Sequence, residues 1–194
     1  MPHNDILAKL KDAVRSVSDN IQNYVSNPGD FSRNGKLPAD VLMEFLIGQG
    51  SRSTRNELID AFSYDKDHPS ASALVQKRAK LSPAALRDVF YRFNQSLEPS
   101  SSNSNYRFFA ADGSTLSFLS SSIFSSDDYF TTQGNSAKGA FNVHLTAFHD
   151  LDSNRYSDAV IQPISQKDES YLYHTIRDNS LSQFATSIEG TFFD

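Results

Sequence analysis

The chain of 194 residues contains no cysteine and no tryptophan, and it has no long apolar run. Without cysteine it can form neither a disulfide nor a thiolate metal site, and nothing in the composition argues for secretion. A membrane-spanning helix needs about 20 apolar residues, and no stretch comes near that length. Lys9, Lys11 and Arg15 interrupt the first apolar pattern, which is unlike a secretory signal peptide. We therefore expect a soluble intracellular protein with no membrane partner.

Positive charge is scarce in the second half of the chain. Residues 1–99 hold 13 Lys and Arg against 12 Asp and Glu, whereas residues 100–194 hold 5 against 11. Residues 69–95 carry five cations, and Asp88 is the only acidic residue among them. A local basic region followed by an acidic half would suit a nucleic-acid surface joined to a site that collects cations. A solvated helix face is the other interpretation of the same charges.

Apolar spacing predicts five helices before residue 98. Their predicted ranges are 4–25, 38–47, 54–62, 70–81 and 83–97. Thr54 and Glu57 stand three residues apart, as in a capping box, where each side chain satisfies a backbone donor of the other residue. Ser82 followed by Pro83 is typical of a helix cap and a first helical position. The first half of the chain is therefore predicted to be helical throughout.

Residues 70–81 are the candidate DNA-binding element. Within this predicted helix we expect Leu74, Val75 and Leu81 to face the interior. Hydroxyl groups near a helix N-terminus can bond phosphate, and the cations behind them add an attraction that does not depend on base sequence. The candidate DNA-binding residues are Ser70, Ser72, Gln76, Lys77, Arg78 and Lys80, with Arg52 and Lys138 as further candidates. An ordinary surface helix is the alternative interpretation.

Residues 98–105 are a polar, serine-rich stretch that we interpret as a linker, and beyond it the periodicity changes from helical to alternating. Alternation predicts strands within 106–118, at 141–148 and at 157–164, in an antiparallel meander, followed by a helix from about residue 167. Residues 119–138 show no periodicity and are predicted to form a loop. His144 and His149 fall on opposite faces of the second strand, so we expect no shared metal ion. Asp150 and Asp158 flank a turn and are interpreted as turn formers.

Asp112 is the candidate catalytic residue. It directly follows an aromatic and apolar run, where alternation puts Phe108, Ala110 and Asp112 on one side of a strand. A carboxylate in that position would sit at a fixed depth on a rigid scaffold. Asp112 followed by Gly113 is also a strong signal for a tight hairpin turn, because both residues tolerate positive φ. The residues alone leave both interpretations open.

Taken in order, these features resemble an IS4-type bacterial transposase. The likeness begins near residues 31–37, continues through 70–81, and includes Asp112-Gly113-Ser114 at a strand. It then includes the segment GAFNVHLTAFHD at 139–150, with Tyr156 and Asp158 following, and reaches about residue 169. The resemblance implies an α+β protein with a helical DNA-binding domain at 1–97, a linker at 98–105 and a ribonuclease H-like catalytic domain at 106–194. That second domain would be incomplete, with its first three strands and a helix.

The resemblance also implies the chemistry of DNA transposition at the ends of an insertion sequence. Such enzymes resemble two-metal nucleases, in which Mg²⁺ or Mn²⁺ ions activate the attacking oxygen and stabilise the leaving one. The role of the first acidic metal ligand carries over to Asp112, whereas the second and third acidic residues cannot be placed before Asp194. The chain is therefore expected to be an amino-terminal portion that is inactive alone.

Partners and location follow from the same resemblance. Double-stranded DNA is the implied partner, with a homodimer in the full-length protein, in the bacterial cytoplasm at the nucleoid. Two alternatives stand beside this interpretation. The chain could be a DNA-binding protein without catalysis, such as a truncated inhibitor of transposition. It could also be a helical interaction protein with a hairpin at Asp112-Gly113.

Overall fold

The computed structural model describes residues 3–32, 35–63, 68–97, 108–118, 129–132 and 139–163. The chain divides into two compact units, Met1–Glu98 and Pro99–Asp194. The described part of the first unit is helical and that of the second is an antiparallel sheet, so the α+β class is confirmed. The predicted linker at 98–105 and the predicted helix from residue 167 lie outside the described residues, as does most of the predicted loop at 119–138.

The described part of the first unit contains five α-helices and one short 3-10 turn. The helices are α1 (His3–Ser18), α2 (Ala39–Gly48), α3 (Thr54–Ala61), α4 (Ala71–Arg78) and α5 (Pro83–Ser96), and the 3-10 turn is Ile21–Tyr24. The prediction that the first helix continues to Val25 is wrong. The side-chain Nδ2 of Asn20 donates to the carbonyl of Ser16 (3.0 Å), and Val25 pairs with Leu81 as an isolated β-bridge. Both interactions draw the backbone out of the helical path.

Serine side chains cap three of these helices. Ser70 Oγ accepts from the Ala73 amide (3.1 Å) and Ser82 Oγ accepts from the Ala84 amide (3.3 Å), which are the predicted starts of α4 and α5. At α3 the cap lies one residue earlier than the predicted Thr54. There Ser53 Oγ accepts from the Asn56 amide (3.5 Å), while Glu57 Oε1 accepts from the Arg52 amide (2.9 Å).

Two apolar clusters form the core of the first unit, and α2 contributes to both. The buried members of the first are Ala13, Val14, Val17, Ala39, Met43, Ala85 and Val89. Those of the second are Leu37, Leu42, Phe45, Leu58 and Leu74. The prediction that Val75 faces inward is wrong, because its side chain is 53% exposed. The short α4 packs through Ala71 and Leu74, one turn apart, which leaves Val75 on the outer side.

The second unit is built around one long strand. Its strands are β1 (Phe109–Phe118), β2 (Phe130–Thr132), β3 (Gly139–Asp150) and β4 (Arg155–Pro163), and all the pairings are antiparallel. Leu145 of β3 pairs with both Ser114 and Ile161, so β1 and β4 lie on opposite edges of β3. The meander β1-β3-β4 was expected, whereas β2 falls where no strand was predicted. Three residues are too few to produce an alternating pattern.

Asp112 and Gly113 lie inside β1 and not at a turn. They pair with Ala147 and Thr146 in a register that continues unbroken to Phe118. Among the described glycines only Gly29 has a positive φ, so Gly113 is extended. The hairpin interpretation is therefore wrong, because the residues after Gly113 continue the alternating pattern and β3 is long enough to pair with all of them.

Candidate functional site

The N-terminal half of α4 presents two hydroxyl groups that already have partners inside the helix. Ser70 Oγ is engaged in capping the helix, as described above. Ser72 Oγ accepts a hydrogen bond from Gln76 Nε2 (3.3 Å), and both of these side chains are exposed. Ser72 and Gln76 therefore form a polar pair on the outer face of α4, where a phosphate or base edge could exchange with an intrahelical bond.

The cations at the end of α4 are not equivalent. Lys77 is half-buried, and its Nζ lies 4.6 Å from the ring centroid of Phe31. Lys80 Nζ lies 2.8 Å from Asp30 Oδ1. Arg78 is exposed, and among the described residues no ion pair or hydrogen bond holds it. The predicted residues from Ser70 to Lys80 thus lie on α4 or directly beside its ends, and Arg78 is the most available of the three cations.

Residues 26–32, which we call the 26–32 loop, supply both partners of the lysines. The loop has a tight backbone, with φ of 87° at Gly29 and 63° at Phe31. The left-handed region is costly for a bulky residue such as phenylalanine, so the surrounding contacts must hold it there. The amide of Gln22 provides one such contact, since its Nε2 donates to the Asp30 carbonyl (2.9 Å) and its Oε1 accepts from the Gly29 amide (3.2 Å).

A short backbone ladder fixes this loop to the end of α4. The Ser82 amide donates to the Tyr24 carbonyl (2.8 Å), and the Ser26 amide donates to the Lys80 carbonyl (3.4 Å). The Lys80 ammonium holds the pKa of the Asp30 carboxyl below its usual value through a hydrogen bond that favours the charged form. The loop and the cationic end of α4 therefore form one structural element.

The two remaining predicted cations are not part of this element. Arg52 lies just before α3 and makes an ion pair with Asp60 at 2.5 Å, although 67% of its side chain is exposed. Lys138 lies outside the described residues. The structure thus gives Arg52 an intramolecular partner and leaves its assignment as a DNA contact a prediction.

Asp112 is exposed on β1 and lies across from Ala147 of β3. Alternation puts it on the sheet face that also carries Val143, Leu145 and Ala147. Mg²⁺ takes oxygen ligands, and a protein usually binds each ion through one or two carboxylates together with waters and substrate phosphates, so a site for two ions needs more than one carboxylate. Among the residues that the structure describes, no group of three His, Asp or Glu side chains could hold a metal ion. The described residues therefore do not by themselves make up a two-metal site.

The opposite sheet face is polar and buried. Its buried polar side chains on β3 and β4 include Asn142, His144, Thr146 and Gln162. Ser117 Oγ donates to Asn142 Oδ1 (2.6 Å), whereas His144 Nδ1 is buried without a hydrogen-bond partner in the described part of the chain. His144 and His149 lie on opposite faces because they are separated by an odd number of strand positions, as expected.

Asp150 shapes the turn between β3 and β4. It is fully buried, and its Oδ1 accepts from the backbone amides of Asp152 (3.0 Å) and Ser153 (3.3 Å). This arrangement is the turn-forming role expected of an aspartate that bonds the backbone two residues on. The turn leads directly into the pairing of Asp150 with Arg155, where β4 begins to pair with β3.

Sequence reasoning missed the part played by Gln22, Asp30 and Phe31. The signal present in the sequence was the turn at Asn27-Pro28-Gly29, which marks a loop but does not reveal its partner. The two atoms of the Asp30–Lys80 ion pair belong to residues 50 positions apart, and no local pattern encodes such a pair.

None of the helices in the described part of the chain is long and apolar enough to cross a membrane. Comparisons of the chain with protein-family models, with curated proteins and with solved structures found no match.

Proposed function

We propose that the chain is the amino-terminal portion of a DNA transposase of an insertion sequence. In this proposal the first unit binds duplex DNA at the transposon ends through α4, and Asp112 is the first acidic ligand of the catalytic metal ions. The observation that carries the proposal is the position of Asp112 within β1 of an antiparallel meander that follows a compact helical unit. That order of parts is the one that the resemblance to IS4-type transposases implies.

The exposed face of α4 supports the DNA-binding part of the proposal. Ser72 and Gln76 can hydrogen-bond to phosphate or to base edges. The Arg78 side chain has no partner among the described residues that a phosphate would have to displace. Each phosphate neutralised by a cation releases condensed counterions, so the affinity falls as salt rises. Binding through this face is therefore expected to depend strongly on salt.

Asp112 supports the catalytic part of the proposal, but only as one ligand. When bound, Mg²⁺ would supply the charge that activates the attacking oxygen and stabilises the leaving one. Because further carboxylates are needed, the proposed role of this chain alone is to hold DNA. A DNA-binding protein without catalysis is the second candidate, because the exposed polar face of α4 would bind DNA whether or not Asp112 holds a metal ion.

The DNA surface can be tested with two variants, one that lacks two cations at the C-terminal end of α4 and one that lacks two cations on α1. The test variant carries Arg78→Gln and Lys80→Gln, and the matched control carries Lys11→Gln and Arg15→Gln, at exposed positions of α1. Both variants lose the same charge. Lys77 is left intact because it packs on Phe31.

Duplex DNA binding would be measured by fluorescence anisotropy of the full chain over a range of salt concentrations. For the α4 variant we expect the slope of log K against log salt to become shallower by about two units, near one per phosphate contact. The control should keep the slope of the unmodified chain. If the two variants behave alike, α4 is not the DNA surface.

A further inference from the structure

We propose that the 26–32 loop competes with DNA for the cationic end of α4. In the free chain the carboxylate of Asp30 forms an ion pair with the ammonium of Lys80. When DNA binds, a phosphate replaces this carboxylate as the partner of Lys80. This proposal rests on the proposed function, since it concerns the same DNA surface. The Asp30 carboxylate thus neutralises part of the positive charge at the end of α4 until DNA displaces it.

The geometry of the ion pair fits exchange of one anion for another. Lys80 Nζ and Asp30 Oδ1 are 2.8 Å apart, and the Lys80 side chain is 48% exposed. A lysine ammonium is a compact charge on a flexible stem, so it can turn toward solvent without a backbone movement. The Lys80 head can therefore reach a phosphate from the position it already has.

The Asp30 carboxylate is placed to compete and is held there by the loop. Its side chain is only 11% exposed, and Oδ2 has no hydrogen-bond partner in the described part of the chain. The Gln22 amide fixes the backbone at Gly29 and Asp30, so the carboxylate does not drift away from α4. Because the Asp30 carboxylate is fixed, we expect the Lys80 ammonium to be the group that moves when a phosphate replaces the carboxylate.

Lys77 differs from Lys80 because its neighbour is an aromatic ring. The face of the Phe31 ring attracts the ammonium but carries no charge that a phosphate would have to displace. Phe31 also packs against both apolar clusters of the first unit, which fixes its position. The competition is therefore confined to Asp30 and Lys80, which allows a test with a single substitution.

The test is Asp30→Asn in the full chain, with Asp19→Asn as the matched control at an exposed carboxylate. Both substitutions raise the net charge by one. Anisotropy with a labelled duplex would be measured at several salt concentrations, after circular dichroism has shown that each variant is folded. We expect Asp30→Asn to tighten binding by about two- to fivefold, the factor that corresponds to an ion pair at the protein surface, and Asp19→Asn to change it much less.

A second measurement, in a chain that already carries Lys80→Gln, shows whether Asp30→Asn changes the DNA affinity through Lys80. When Lys80→Gln is already present, Asp30→Asn should leave the affinity unchanged. Weaker binding by Asp30→Asn would overturn the proposal, because Asp30 would then position Lys80 for DNA. An unchanged affinity would overturn it as well, as would an equal gain from Asp19→Asn. If the unmodified chain binds no duplex at all, the proposed function itself fails, a result distinct from each of these.

Discussion

Substitution of Gly113 by alanine tests the position of the Asp112-Gly113 pair within β1. A β carbon at Gly113 would lie 2.7 Å from both Cε1 and Nε2 of the His144 ring. Carbon atoms in favourable contact are about 3.5–4.0 Å apart, so the ring or the strand would have to move. His144 is 7% exposed and pairs with Gln162 of β4, which limits the room for that movement.

The expected loss follows from two opposing effects. Forcing an extra carbon into a packed site costs about 1–3 kcal/mol. Alanine in an extended strand recovers about 0.5–1 kcal/mol relative to glycine, because it loses less backbone freedom on folding. Gly113→Ala should therefore lower the stability of the sheet by about 1 kcal/mol, and by no more than about 2.5 kcal/mol. In a chain that already carries His144→Ala the clash is gone, and Gly113→Ala should become neutral or stabilising.

Amide hydrogen exchange of β1 and β3 is the suitable assay, because it reports the sheet separately from the helical unit. The unmodified chain, the two single variants Gly113→Ala and His144→Ala, and the double variant would be compared. An equal cost of Gly113→Ala with and without the His144 ring would refute the predicted clash. That result would indicate a glycine with positive φ, as in a hairpin turn, where alanine is strained regardless of its neighbours.

Two further predictions concern single contacts. The phenol of Tyr24 donates to Asp88 Oδ2 at 2.7 Å, and this hydrogen bond raises the pKa of Tyr24 above 10. Its contribution is therefore complete below pH 10 and is lost as the pH rises through the folded pKa, so Tyr24→Phe should cost about 1 kcal/mol at neutral pH and less above pH 10, measured by urea unfolding. At Gly139 an added β carbon would overlap the ring of Phe130, so Gly139→Ala should displace that ring from Phe141, with a loss of about 1 kcal/mol. Faster amide exchange in β2, with β1 unchanged, would show it; unchanged exchange in β2 would contradict it.

The starts of the helices could be predicted because they depend on neighbouring residues. A serine cap accepts a hydrogen bond from an amide two or three positions away. Ser70 and Ser82 therefore mark the starts of α4 and α5 through contacts within the first helical turn. The strands β3 and β4 could be predicted for the same reason, since alternation is a local property of the chain. The α+β class followed from these two kinds of local signal.

The remaining features depend on residues that are distant in the sequence. Val25 leaves the predicted helix because it pairs with Leu81, and Asp30 meets Lys80 because that pairing brings the loop to α4. Val75 was misplaced because the helical period alone does not say which side of a short helix the neighbours occupy. The choice between strand and turn at Asp112 was likewise settled by β3, whose length no residue near Asp112 encodes.

The most direct test of the central claim is the affinity of the unmodified chain for duplex DNA, measured at 25 °C across roughly 50 to 200 mM salt. We expect measurable binding, with an association constant whose logarithm falls linearly with the logarithm of the salt concentration. The slope should become shallower when Arg78 and Lys80 are replaced by glutamine. Absence of binding at the lowest salt would contradict the proposed DNA-binding role. So would binding that does not respond to salt or to these two substitutions.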